Sequence, residues 1–176
     1  LYRDCLARYG LPENKLIKEF SRGMKMKLSL AAALAHRPRL LVLDEATAGL
    51  DPVVREEILE EFLAFIGDEE HAILMSSHIT GDLEKAADYI TYLHQGQVAL
   101  CGSKDDIRDR YGRVACTAAQ LEQLEPGDLL RVRRGAFGCE GLTDHREAFQ
   151  RKYPRLLAEP LSLEDIMVFM ERGEAL

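Results

Sequence analysis

At 176 residues, 47% of them hydrophobic, the chain is long enough for one good core, or one core and a small appendage. A net charge of −7 argues against general nucleic-acid binding, which prefers a strongly basic domain, and no apolar run approaches the roughly 18 residues of a membrane span. The charge is uneven: residues 1–40 hold nine Lys/Arg against three Asp/Glu, a balance of +6, and the remainder carries −13.

In chain order, residues 1–10 read as the end of an amphipathic helix with Tyr2, Leu6 and Tyr9 on one face and Gly10 stopping it. Opening inside a helix, without an initiating Met, reads as a piece of a longer protein. Ser21 is the expected cap of a helix from about Arg22 to His36, with Met24, Leu28, Ala31, Ala32 and Ala35 on its apolar side. Pro38 ends it, and Leu40–Leu43 follows as a buried strand. Asp51 and Pro52 open the next helix as cap and first helical residue, carrying Val54, Ile58, Leu59, Phe62 and Phe65 inward as far as Gly67.

Ala72–Met75 reads as a second buried strand with Ser76-Ser77-His78 as its exit, and Asp82 to Ala87 as a short helix. Ile90–His94 and Gln97–Cys101 flank Gln95-Gly96, the signal of a tight hairpin, and Ser103 caps a helix to about Tyr111. This alternation of helix and strand predicts parallel strands with crossovers, hence an α/β fold. From about Val114 the texture changes: a lone strand at Leu129–Arg133, a short helix at His145–Lys152, and an amphipathic helix capped by Ser162. The expected organisation is therefore an α/β portion over 1–113 and a small α+β extension over 114–176. In the extension, Leu129, Leu130, Ile166, Phe169 and Met170 are placed for burial.

The chemistry concentrates at three places. Phe20-Ser21-Arg22-Gly23-Met24 puts a hydroxyl, a glycine and unpaired N–H groups at a helix start, an arrangement that suits an anion and equally an ordinary capped helix. Leu40 to Glu45 runs an apolar strand into Asp44 and Glu45, and a carboxylate there is costly to desolvate without a metal, a proton or a partner. Ligands of open α/β sheets sit at the carboxyl ends of strands. The economical reading is a magnesium-nucleotide site, with Asp44 serving the metal and Glu45 the attacking water. Ala48-Gly49-Leu50-Asp51 adds a glycine turn and a further carboxylate. If the two strands are parallel, His78 leaves the sheet at the same edge, where an imidazole can bond a γ-phosphate or hold a water.

Taken together and in this order, the residues from Phe20 to about Gly102 resemble the C-terminal half of an ATP-binding-cassette (ABC) nucleotide-binding domain. Phe20 to Met24 resembles its signature motif, Leu40–Glu45 its Walker B strand, Gly49-Leu50-Asp51 its D-loop and His78 its switch histidine. Arg22, Met24, the serines before His78 and the Leu163-Glu164-Asp165 helix start are similar to bacterial transporters of the ABC-2 exporter type. The resemblance implies part of a P-loop NTPase fold with a mostly parallel sheet, ATP and Mg2+ as cofactors, and Asp44 holding magnesium through water. It further implies Glu45 as general base and His78 as the sensor of the γ-phosphate. Ser21 and Gly23, with Arg22 and Met24 beside them, would bind ATP held by an opposite subunit, and Asp51 would couple the two sites. The implied partners are a second nucleotide-binding subunit, identical or not, and a transmembrane permease that holds the protein at the cytosolic face of a membrane. Met24 stands where the family usually has glutamine, and Ala46 where it has proline.

No stretch of the sequence matches the phosphate cradle G-x-x-x-x-G-K-[ST]. The chain by itself is therefore expected neither to grip ATP tightly nor to hydrolyse it, with ATPase activity belonging to a complete protein. Two other classes share parts of the pattern. A DNA-repair ATPase of the SMC/Rad50 kind should bring coiled-coil heptads into this lobe, where Gly10-Leu11-Pro12 stands instead. A non-catalytic regulatory module of the same fold has no need of Asp44, Glu45 and His78. Cys5, Cys101, Cys116 and Cys139 are widely spaced and form no CxxC pair, which fits free thiols.

Overall fold

In the computed structural model, residues 6–136 and 138–174 are described. Tyr2 and Cys5 lie outside the described residues, so of the expected first helix only 6–8 is seen as helical, with Gly10 turning the chain at φ +61°. The secondary structure begins where the sequence supplies caps. Helix α1, Arg22–Leu34, starts at Ser21, whose Oγ accepts from the Met24 N–H at 3.2 Å. Helix α2, Pro52–Ile66, starts at Asp51, whose Oδ1 accepts from the Val54 N–H at 3.1 Å. Each cap satisfies one of the amide donors that a helix start leaves without an intrahelical partner.

Two compact units, residues 1–86 and 87–176, divide the chain ahead of the boundary expected at 113/114. In the first, strands β1 (Leu40–Asp44) and β2 (Ala72–Ser76) pair in parallel, from Leu40 opposite Ala72 to Asp44 opposite Ser76. Helix α2 supplies the crossover between them, and the short helix α3, Thr80–Ala86, follows β2. The core joins Leu30 of α1, Leu41 of β1, Ala46, Leu50 and Ile58, Leu59 and Phe62 of α2.

The inward side of α1 is only partly the one expected: Ala31 is buried as predicted, but Gly23 and Leu30 are buried beside it and Ala32 is exposed. Gly23 explains the rotation, because a Cβ there would fall 2.9 Å from Val54 Cγ1, so the helix presents its bare edge to α2. The strands also depart from expectation. Leu41 is buried, but Leu40, Val42 and Leu74 are 54%, 69% and 64% exposed. Side chains alternate between the two faces of a strand, and helices cover only one face of this two-stranded sheet.

In the second unit, β3 (Tyr89–His94) and β4 (Gln97–Ser103) form the expected hairpin, with Gln95 at φ +50° and Gly96 at φ +76° in its turn. Among the described residues its strands pair with each other alone, and Tyr92 and His94 both reach Glu171, at 3.0 and 3.1 Å, on the last helix of this unit. Ser103 caps α4, Lys104–Arg110.

The lone strand expected at Leu129–Arg133 belongs to a four-stranded antiparallel sheet in the order β6-β7-β5-β8: Arg131–Gly135, Gly138–Thr143, Gly112–Cys116 and Ala158–Pro160. Helix α5, Ala118–Leu121, opens with a reciprocal capping box between Thr117 and Gln120. Helices α6, Arg146–Lys152, and α7, Leu163–Arg172, complete the unit, and Ser162 caps α7 as the sequence predicts. Among the described residues no helix is long and apolar enough to cross a membrane.

Candidate functional site

The parallel register fixes the site. Asp44 and Ser76 are opposite one another at the carboxyl ends of β1 and β2, and His78 follows two residues later at that same end. Ser76 Oγ donates to Asp44 Oδ1 at 2.5 Å and accepts from the Glu45 N–H at 3.0 Å, while the Ser76 carbonyl accepts from that N–H at 3.1 Å. The hydroxyl thus pins the first carboxylate and the backbone that carries the second.

Glu45 sits at φ +49°, in the left-handed region that non-glycine residues rarely occupy. There its carboxylate Oε2 lies 2.6 Å from His78 Nδ1, which donates when that nitrogen carries the proton. The Glu45 carbonyl then accepts from the Ala48 N–H at 3.0 Å, closing a turn. Both side chains reach solvent, His78 at 69% and Glu45 at 42%. Asp44 is exposed too, so within this chain the strand end is not the dry interior expected from the sequence.

The turn after Glu45 is fastened from two sides. Gly49, at φ +65°, lies so close beneath the Arg22 guanidinium that a Cβ would fall 2.4 Å from Nη1. Arg55 Nη2 donates to the Leu50 carbonyl at 3.4 Å from the other side. Thr47 is fully buried, and its Oγ1 has no hydrogen-bond partner among the described residues; Asp82 Oδ2 and Arg55 Nε share that condition. Arg22, at the start of α1, therefore packs against the turn that leads to Asp51.

Of the residues singled out in the sequence, Glu45 and His78 touch directly, and Asp44 stands at the same strand end, linked to Glu45 through Ser76. Ser21 and Asp51 are helix caps, Met24 donates its backbone N–H to Ser21, and Gly23 is turned to Val54. The close approach that Gly23 permits is one of helix to helix. Sequence reasoning treated Ser76 as an exit-loop residue and missed its grip on both acidic positions. Its signal was present in the register, since two five-residue parallel strands ending together set Ser76 opposite Asp44.

Asp44 offers hard oxygen donors at an accessible strand end, which fits Mg2+. No group of three or more His, Cys, Asp or Glu that could hold a metal ion occurs among the described residues.

Residues 3–48 match a family model described as "ABC transporter". The chain is 36% identical over 132 residues to the linearmycin resistance ATP-binding protein LnrL of Bacillus subtilis, covering 74% of this chain and 42% of that protein. It is 40% identical over 91 residues to the lantibiotic transport ATP-binding protein SrtF of Streptococcus pyogenes, covering 52% of this chain and 39% of SrtF. The chain thus spans about two fifths of the curated relatives it matches. Among solved structures, its fold resembles the ATP-binding cassette MJ0796, in a dimeric post-hydrolysis state bound to ADP and Pi, with a TM-score of 0.52 at 23% identity. That likeness covers 57% of this chain and 44% of the cassette.

Proposed function

With this chain a part of an ABC transporter ATP-binding domain, we propose that its complete protein binds and hydrolyses ATP to drive a bacterial exporter. The names of LnrL, SrtF and the bacitracin transport protein BcrA of Bacillus licheniformis support the transport side of this reading. The observation that carries the catalytic side is the contact of Glu45 with His78 at 2.6 Å, beside an Asp44 held by Ser76.

In this proposal Glu45 Oε2 takes a proton from the attacking water, and His78 holds that carboxylate through Nδ1 while Nε2 faces the terminal phosphate. Asp44 would hold Mg2+, which would supply neutralisation of phosphate charge. Ser21 and the α1 start, with Arg22, Gly23 and Met24, face ATP held by a second nucleotide-binding subunit, where the helix dipole favours an anion. In the same proposal Asp51, the cap of α2, couples the two ATP sites. A transmembrane permease would hold the assembly at the cytosolic face of the membrane. Residues 114–176, expected from the sequence as an α+β extension, would steady or regulate the dimer.

The test is Glu45→Gln in the complete protein. Turnover should fall about 10²–10⁴-fold while nucleotide-dependent dimers still form. A rate equal to wild type would remove Glu45 as the base.

A further inference from the structure

The second unit contains a pair of thiols that the ATPase reading does not use. Cys116, the last residue of β5, and Cys139, the second of β7, are direct partners in the antiparallel ladder. Both are free thiols, 9% and 6% exposed, on the core face of the sheet. Residues directly opposite in such a ladder have Cα atoms about 4.5–5.5 Å apart. Disulfides need about 4.4–6.8 Å, so the strands stand at bridging distance without moving. Gly138 tightens the arrangement: at φ +152°, its Cβ position lies 3.1 Å from the Cys116 carbonyl oxygen, and only glycine lets β7 enter this close.

A cavity of about 540 Å3 opens onto the pair, lined also by Thr117, Gln120, Arg133 and Arg134. Arg134 is the partner of Cys139 on the other side, so Arg134, Cys139 and Cys116 form one row across β6, β7 and β5. Burial pushes the Cys116 thiol up, with Cys139 adding to the shift. Cys101 has no such partner among the described residues: it is exposed on β4, opposite Thr91 and 3.3 Å from that hydroxyl.

We propose that Cys116 and Cys139 are a site of reversible oxidation, closing an intramolecular disulfide in the presence of a small hydroperoxide that enters through this cavity. One thiolate attacks the terminal hydroxyl oxygen of the peroxide and the O–O bond breaks; the departing hydroxide takes a proton to become water, or the departing alkoxide of an organic hydroperoxide takes one to become the alcohol. The sulfenic acid left behind is attacked at sulfur by the second thiolate, the S–O bond breaks, and a second hydroxide leaves as water. Two electrons pass from the sulfurs to the peroxide, and β5 becomes covalently tied to β7.

The complete protein is treated with hydrogen peroxide, remaining thiols are alkylated, and the chain is cut with trypsin. Cleavage after Arg113, Arg131, Arg134 and Arg146 leaves Cys116 on residues 114–131 and Cys139 on residues 135–146. The two peptides should be recovered joined, two hydrogens lighter than their sum, and be separated again by dithiothreitol. Cys101→Ser should leave the yield of the joined peptide unchanged. Cys116→Ser should abolish it and leave Cys139 as a sulfenic acid trapped by dimedone. Recovery of both wild-type peptides as alkylated thiols after Cys101 has been oxidised overturns the proposal. So does their recovery as separate sulfinic or sulfonic acids.

Discussion

Ser76 does more at the site than its chemistry advertises. One hydroxyl donates to Asp44 and accepts from the Glu45 amide, so both acidic residues are positioned by a side chain that need touch neither metal nor nucleotide. Partners of this kind set the orientation and basicity of a metal-binding carboxylate, and losing one typically costs about 10–100-fold in metal affinity or activity. Ser76→Ala in the complete protein should therefore shift the Mg2+ dependence of ATP hydrolysis upward by about that factor, measured by titrating Mg2+ at fixed ATP. Ser76→Thr, which keeps the hydroxyl, is the matching rescue. The pairing of Asp44, Glu45 and His78 was legible in the sequence, because each lies at or just beyond the end of an apolar segment. The serine was not, because its role appears only once the two strands are set in register. Gly23 was read as part of an anion-binding helix start; the sequence had no means of saying that Val54 packs against it.

At the scale of the elements, local signals were legible and remote pairings were not. Ser21, Asp51, Ser103 and Ser162 each cap the helix that the sequence assigns to them, since a cap is decided within four residues. The Gln95-Gly96 hairpin follows from its turn for the same reason. The four-stranded sheet of the second unit was read as a single strand. Gly112–Cys116 and Gly138–Thr143 carry three glycines between them, and β8 is three residues ending in proline, so strand propensity is weak in each. What makes them strands is packing. At Gly141 a Cβ would fall 2.4 Å from Leu129 Cδ1, with Leu129 only 4% exposed. Gly141→Ala should destabilise this unit by about 1–3 kcal/mol, the usual cost of overfilling a packed core, read as a lower midpoint in urea.

For the molecule as a whole, the acidic balance of the chain makes its response to pH informative. Asp128 is partly buried, which works to raise its pKa, but hydrogen bonds from Lys152, Tyr153 and the Glu125 N–H outweigh this and hold it below its ordinary value. Lys152 is correspondingly raised, chiefly by its bonds to Asp128 and Glu125. A carboxylate depressed in the folded state lends stability above its unfolded pKa, about 3.9, and that stability is lost as pH falls through the folded value. Asp128→Asn should thus flatten the acid limb of stability below about pH 4 and leave the slope near neutrality unchanged. Chemical unfolding followed across pH checks this. For Lys152 the sign is reversed: its share is present at neutral pH and disappears only far into the alkaline range.

The bare side of the β1–β2 ladder has a practical outcome for anyone handling these 176 residues in solution. Leu40, Val42 and Leu74 form a greasy strip on a pair of strands with no further neighbour among the described residues. Open strand flanks beside uncovered aliphatic groups are templates for sticking to another copy. Light scattering should report clumping that grows with protein concentration, and Val42→Lys should suppress it by placing a charge in the middle of the strip. The same lysine introduced into the full-length protein should instead impair folding, if that strip is normally roofed over.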